Sequence, residues 1–293
     1  DLIHFIVDYL ENFGVKSQLI YNPEKTKANL FATIGPTEVP GIVLSGHTDV
    51  VPVDGQAWDT NPFKLIERDG RLYGRGSSDM KSFIGVVLAA TPYFASKKLS
   101  TPIHYAFSFD EEIGCLGAPL LISEIKKVIP SFRAVIIGEP TEMAVVNAHK
   151  GVCGFKTTVS GLERHSSETH RGVNAVAYAA ELIHKLTSMG EQIKNDRSSP
   201  ESGFDPPYTT IHVGTIVGGT AQNIVPRSCS FTWEYRLMPD ESETEIYEYL
   251  QEYIDQIVLP KMHAVDPNTE ITTESLALVP GLAPSKRSSA EEL

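Results

Sequence analysis

Cysteine is scarce in this chain, basic residues are outnumbered, and no apolar run approaches the roughly 18–20 residues of a membrane span. The three cysteines, Cys115, Cys153 and Cys229, are odd in number, scattered and without a C-x-x-C pair. That argues against a disulfide framework and a thiolate zinc site, and fits a reducing, cytoplasmic setting. With 25 Lys and Arg against 37 Asp and Glu the formal charge is -12, and no basic run offsets it. Nucleic acid and anionic membrane surfaces are therefore poor partners, because phosphate binding is driven by cationic side chains. Two catalytic signatures are missing as well. No G-x-S-x-G elbow marks a serine nucleophile, and Gly74-Arg75-Gly76-Ser77-Ser78-Asp79 lacks the third glycine of a dinucleotide loop. The chain opens at Asp1 without an initiating Met, already inside an amphipathic pattern, so a missing native start is expected and a removed signal peptide is disfavoured.

What is present supports a full core and two domains: 293 residues, 41% of them hydrophobic. Apolar spacing predicts a helix over 1–13 and strands over 28–34 and 41–45, the second buried and leading into Gly46-His47-Thr48-Asp49. Asp69-Gly70 predicts a hairpin turn. A helix over 82–94, a strand over 103–109, a helix over 116–127 and a buried strand over 134–137 follow. This alternation predicts an α/β fold, a mostly parallel sheet covered by helices on both faces, across a first domain of residues 1–150. After residue 151 the pattern changes. Strands over 152–159, 209–217 and 229–237, helices over 173–186 and 244–258, and a weak strand over 269–273 predict a ferredoxin-like βαββαβ unit. Ser242 and Glu245 read as a capping box for the second helix, and Ile246, Tyr249, Leu250, Tyr253, Ile254 and Ile257 as its core stripe.

In an open α/β sheet, ligands bind beyond the carboxyl ends of the strands. Three such ends supply His47, the Glu111/Glu112 pair and Glu139, and Asp79 stands at the mouth of the helix over 82–94. Carboxylates held together raise one another's pKa, so the arrangement calls for cations. Imidazole with carboxylate suits zinc, cobalt or manganese. Where two metals share a site they lie about 3.5–4 Å apart, and Asp79 is the natural bridge. Asp49 is placed to fix the tautomer of His47. Adjacent glutamates on an extended backbone point different ways, so one can ligate while the other takes a proton from water. These features predict a metal-dependent hydrolase.

The segments 45–53, 58–63, 73–81, 110–114 and 138–141 together resemble the di-metal aminoacylase/carboxypeptidase family, and the likeness runs through nearly the whole chain. The resemblance implies that His47 and Glu139 hold one metal, Asp79 bridges, Glu112 holds the second metal, and Glu111 is the general base, with Asp49 behind His47. It implies a cis peptide between Asp79 and Met80. It makes the second domain, residues 151–262, an inserted lid that dimerises, with His165 reaching the partner's active site and Asn223 and Arg236 meeting the substrate's carboxylate. Segments 148–151, 165–167, 171–175 and 218–226 turn the expected reaction toward removal of acetyl from N2-acetyl-L-ornithine in arginine synthesis. A desuccinylase, another N-acyl-amino-acid hydrolase, a dipeptidase and an inactive dimerising homologue are the alternatives. The expected cofactor is Zn2+ or Co2+, two per subunit in a complete chain. One departure stands out: the family places a last metal-binding His in a segment returning to the first domain, and no His follows His263. Residues 263–293 are then the start of that return, one cation or none is expected here, and activity is expected to be crippled or absent.

Overall fold

Alternating apolar side chains build the first sheet and the helices on both of its faces. In this computed structural model, which describes residues 2–129 and 131–284, α1 (Leu2–Glu11) leads into β1 (Ser17–Tyr21), β2 (Ala28–Ile34) and β3 (Gly41–His47). The hairpin β4 (Ile66–Arg68) and β5 (Arg71–Tyr73) turns at Asp69 and Gly70, both in the left-handed region at φ 53° and 70° as an Asp-Gly turn requires. Then come α2 (Lys81–Ala95), β6 (Ile103–Ser108), α3 (Ala118–Val128) and β7 (Phe132–Ile137). The sheet order is β1-β2-β6-β3-β7. It is parallel through β6, β3 and β7, the part that carries the predicted site, and antiparallel where β2 and β1 extend it. One face is covered by Ile3, Ile6 and Leu10 of α1 and Ile84, Val87 and Leu88 of α2, packed on Leu30, Ala32, Tyr105 and Phe107. The other is covered by Leu121 and Ile125 of α3 on Phe31, Val43 and Ala106.

Two features of this unit differ from the sequence reading. Strand β1 was not foreseen, because Ser17 and Gln18 dilute its apolar signal. Strand β7, expected to be buried, is an edge strand whose Val135, Ile136 and Ile137 are exposed.

The chain divides between Val145 and Val146. In the second unit β8 (Gly151–Ser160), the short β9 (Arg164–His165), α4 (Ala175–Arg197), β10 (Thr210–Gly218), the short β11 (Ile224–Val225) and β12 (Ser228–Leu237) precede α5 (Glu245–Tyr253). A π turn, Ile254–Val258, joins α5 to α6 (Leu259–His263), and β13 (Glu270–Val279) closes the unit. The four long strands run β10-β12-β8-β13, all antiparallel, which with the element order is the expected βαββαβ topology. Residues 263–284, read as the start of a return to the first domain, instead complete this unit: β13 pairs with β8 along its length. The remainder, 285–293, lies outside the described residues. Alternate residues Cys229, Phe231, Trp233, Tyr235 and Leu237 of β12 face α4, whose Ala179, Leu182, Leu186, Met189 and Ile193 recur at helical spacing. In the α5 stripe Ile246, Leu250 and Ile254 are buried, whereas Tyr249 and Ile257 are exposed. The capping box does not form; α5 starts one residue after Thr244, and no side chain caps it. Among the described residues no helix is long and apolar enough to cross a membrane.

Candidate metal centre

Register brings the site together. Strand β3 ends at His47, which stands level with Ser108 at the end of β6, and Ser45 stands level with Ile137 at the end of β7. The residues that follow each strand therefore emerge at one edge: Asp49 after β3, Glu111 and Glu112 after β6, Glu139 after β7. Asp79 arrives from the same side, two residues before α2, across a cis peptide to Met80, whose side chain is fully buried. Gly138 permits this approach, since a Cβ there would lie 2.0 Å from the Phe83 ring of α2.

His47 is the floor of the site, 1% exposed. Its Nε2 lies 2.9 Å from Asp79 Oδ1 and 3.9 Å from both Glu111 Oε2 and Glu139 Oε1. Its Nδ1 lies 3.3 Å from Asp49 Oδ1, an ion-pair distance without the alignment of a hydrogen bond. Two groups of ligand atoms stand within 4.8 Å of one another: His47, Asp79 and Glu139 in one, His47, Glu111 and Glu112 in the other. The first is the set that the resemblance implied for one metal with its bridge. The second corrects one expectation. Glu111 and Glu112 do not diverge, because they lie at a turn rather than in extended backbone, and both carboxylates come within reach of His47. Asp49 also does more than expected: its two carboxylate oxygens accept the backbone N–H groups of Glu111 and Glu112, each at 3.1 Å.

The electrostatics fit a cation. Burial raises the pKa of both Glu112 and Glu139, and the neighbouring Asp79 and Glu111 raise them further. Burial opposes the protonated form of His47, but its hydrogen bond to Asp79 and the charges of Asp49, Glu111 and Glu139 outweigh this and raise its pKa. Burial, with the neighbouring Glu111, pushes the Cys115 thiol up to about 11, which makes it a poor nucleophile. A divalent ion would offset the negative charge that raises these pKa values. A buried imidazole whose Nε2 faces Asp79, Glu111 and Glu139 while its Nδ1 faces Asp49 is a donor set suited to one.

The remaining predicted residues lie in the second unit. His165 on β9 pairs with Ile224 on β11, and the Ser166 N–H donates to the Asn223 carbonyl oxygen at 2.9 Å, so His165 and Asn223 are neighbours. His165 Nδ1 lies 2.8 Å from Ser167 Oγ and accepts the Ser167 N–H at 3.2 Å, so that ring nitrogen is engaged within its own turn. Arg236 is exposed on β12, and its Nε donates to Glu234 Oε1 at 2.9 Å. Asn29 and Lys27, which bind the loop carrying Glu111 and Glu112, went unnoticed in the sequence; no local spacing marks them.

The comparisons with known proteins agree with this geometry. An acetylornithine deacetylase of Pasteurella multocida is 35% identical over 253 residues, covering 85% of this chain and 64% of the relative. One of Yersinia pseudotuberculosis is 31% identical over 286 residues, covering 93% of this chain and 72% of the relative. The chain thus spans about 64% of the length of the Pasteurella relative. Among solved structures, an M20 family metallo-carboxypeptidase from Sulfolobus solfataricus matches with a TM-score of 0.72 and 20% identity, over 99% of this chain and 75% of that one. Human carnosine dipeptidase 1 matches with a TM-score of 0.70 and 17% identity, over 99% and 74%. These likenesses show the fold. The model of peptidase family M20/M25/M40 matches residues 43–281, a stretch that contains every residue of the centre, and the chain belongs to that family.

Proposed function

We propose that this protein is a zinc- or cobalt-dependent deacylase that releases acetate and ornithine from N2-acetyl-L-ornithine, a cytoplasmic step of arginine synthesis, and that it works as a homodimer through its second unit. The observation that carries the reading is the convergence of His47 with Asp79, Glu111, Glu112 and Glu139 at one strand edge. The choice of substrate is supported by identities of 31–35% to acetylornithine deacetylases.

His47, Asp79 and Glu139 would hold one cation, and Glu112 would serve the second. When bound, such a cation polarises a carbonyl and lowers the pKa of a water. Glu111 would act as the general base, taking a proton from the attacking water and giving it to the leaving amine, the role its reach to the centre allows. Asp49 fixes His47 and the backbone of both glutamates. His165 would offer its other ring nitrogen, Nε2, as a donor to the developing oxyanion of a substrate held by a second copy. Asn223 and the guanidinium nitrogens of Arg236 not engaged by Glu234 would meet the α-carboxylate.

The test is an assay of N-acetyl and N-succinyl amino acids and dipeptides with Zn2+ or Co2+, run on this chain and on one extended to the length of its relatives. Acetylornithine is the expected preferred substrate of the longer chain, and Glu111→Gln should lower its kcat by about 10²–10⁴-fold. Preference for a dipeptide, or full turnover by Glu111→Gln, would overturn the reading.

A further inference from the structure

Residues 109–117 form a loop that closes on itself. The Gly117 N–H donates to the Phe109 carbonyl at 3.2 Å, the Leu116 N–H to Asp110 at 2.9 Å, and those of Gly114 and Cys115 to Glu111, each at 2.9 Å. Inside it Asp110 and Cys115 take left-handed conformations, φ 53° and 58°, which residues other than glycine seldom adopt. The loop's own hydrogen bonds thus hold conformations that its residues do not favour, and support from outside adds to them.

That support comes from the start of β2. Asn29 is fully buried, its Nδ2 donating to the Gly117 carbonyl at 2.9 Å while its Oδ1 accepts the Phe109 N–H at 3.2 Å. One side chain thus ties both ends of the loop together, its amide supplying a donor to one end and an acceptor to the other. Two residues earlier, Lys27 Nζ reaches both carboxylate oxygens of Asp110 at 2.7 and 2.6 Å. The closure is tight: a Cβ at Gly117 would lie 2.4 Å from the Phe109 carbonyl oxygen and 2.8 Å from Asn29 Oδ1.

We propose that Asn29, assisted by Lys27, is the positioning residue that sets Glu111 and Glu112 against His47. It reaches no substrate and acts through the loop. Its consequence for the centre rests on the cation-binding reading above; its grip on the loop does not.

The test compares Asn29→Asp, which keeps the acceptor for Phe109 but sets an oxygen against the Gly117 carbonyl, with Thr91→Val. The control removes a different buried contact in the same unit, Thr91 Oγ1 to the Tyr105 hydroxyl at 3.0 Å. Amide exchange of residues 110–117 and Co2+ affinity by calorimetry are measured on the full chain. Asn29→Asp is expected to speed exchange of those amides by at least about tenfold and to weaken Co2+ binding about 10–100-fold, as loss of an outer partner of a metal ligand does, while Thr91→Val moves neither. Should Asn29→Asp fail to fold, Lys27→Met carries the test on the same amides. Unchanged exchange in a folded Asn29→Asp or Lys27→Met chain, or equal acceleration by Thr91→Val, overturns the proposal. If the unaltered chain binds no Co2+, the cation reading fails, and the exchange data still decide the role of Asn29.

Discussion

His47 closes the carboxyl end of β3, and His104 lies near the amino end of the neighbouring β6, level with Val43 and so about 13 Å from His47 along the strand. Both imidazoles are buried, at 1% and 0% exposure, yet their surroundings are opposite. Around His47 stand Asp49, Asp79, Glu111 and Glu139, and its pKa is raised against the pull of burial. Around His104 stand the ring of Phe31, stacked at 5.9 Å, the edge of Phe132 at 6.2 Å and the hydroxyl of Thr33, 2.9 Å from Nδ1. Its Nε2 has no hydrogen-bond partner and burial lowers its pKa. Burial alone, then, does not make a histidine functional. What distinguishes the two is the direction of parallel strands, which gathers the loops carrying charge at one end and leaves the other end to packing.

The contrast can be broken most forcefully at His47. Replacement by Ala should cut divalent-cation affinity by more than about 100-fold, beyond the range typical of outer partners, whereas His104→Phe should leave it unchanged in the same calorimetric titration. Changing Asp49 to Ala should cost about 10–100-fold in cation affinity, since it removes the partner of His47 and the acceptor for two backbone N–H groups. Acid separates the histidines in another way. Burial depresses the pKa of His104 in the fold, so below the unfolded value of about 6.5 the unfolded chain binds the extra proton and stability falls as pH falls. Chemical denaturation between pH 7.5 and 5 should show that loss in the unaltered chain and a shallower one in His104→Phe. The smallest effect is expected from Thr33→Val, which leaves Nδ1 of His104 unpaired and should cost about 1 kcal/mol by the same measurement with cation binding untouched.

Much of the centre was legible because each contributor follows a strand or opens a helix, where a local pattern points to it: His47 after an apolar run, Glu139 after another, Asp79 ahead of α2. The βαββαβ topology was legible for the same reason, since period-2 and helical spacing alternate clearly after residue 151. Asn29 and Lys27 were not, because their partners lie 88 and 83 residues away and nothing in their own surroundings announces them. The orientation of Glu111 and Glu112 was misread because a left-handed Asp110 turns the backbone that was taken as extended. Helix α4 runs on to Arg197, past Thr187, Ser188 and Gly190 where helix propensity weakens, because Met189 and Ile193 still pack into the core. Strand β7 was recognised as a strand but not as an edge, since an apolar run reports what a segment prefers and not what lies beside it.

That edge has a practical consequence. Among the described residues no strand pairs with the outer flank of β7, and Val135, Ile136 and Ile137 are exposed there, the kind of strand edge on which another strand can add. A charge on such an edge opposes strand addition, so Ile136→Lys is expected to lower any self-association of the purified chain, read by light scattering against concentration.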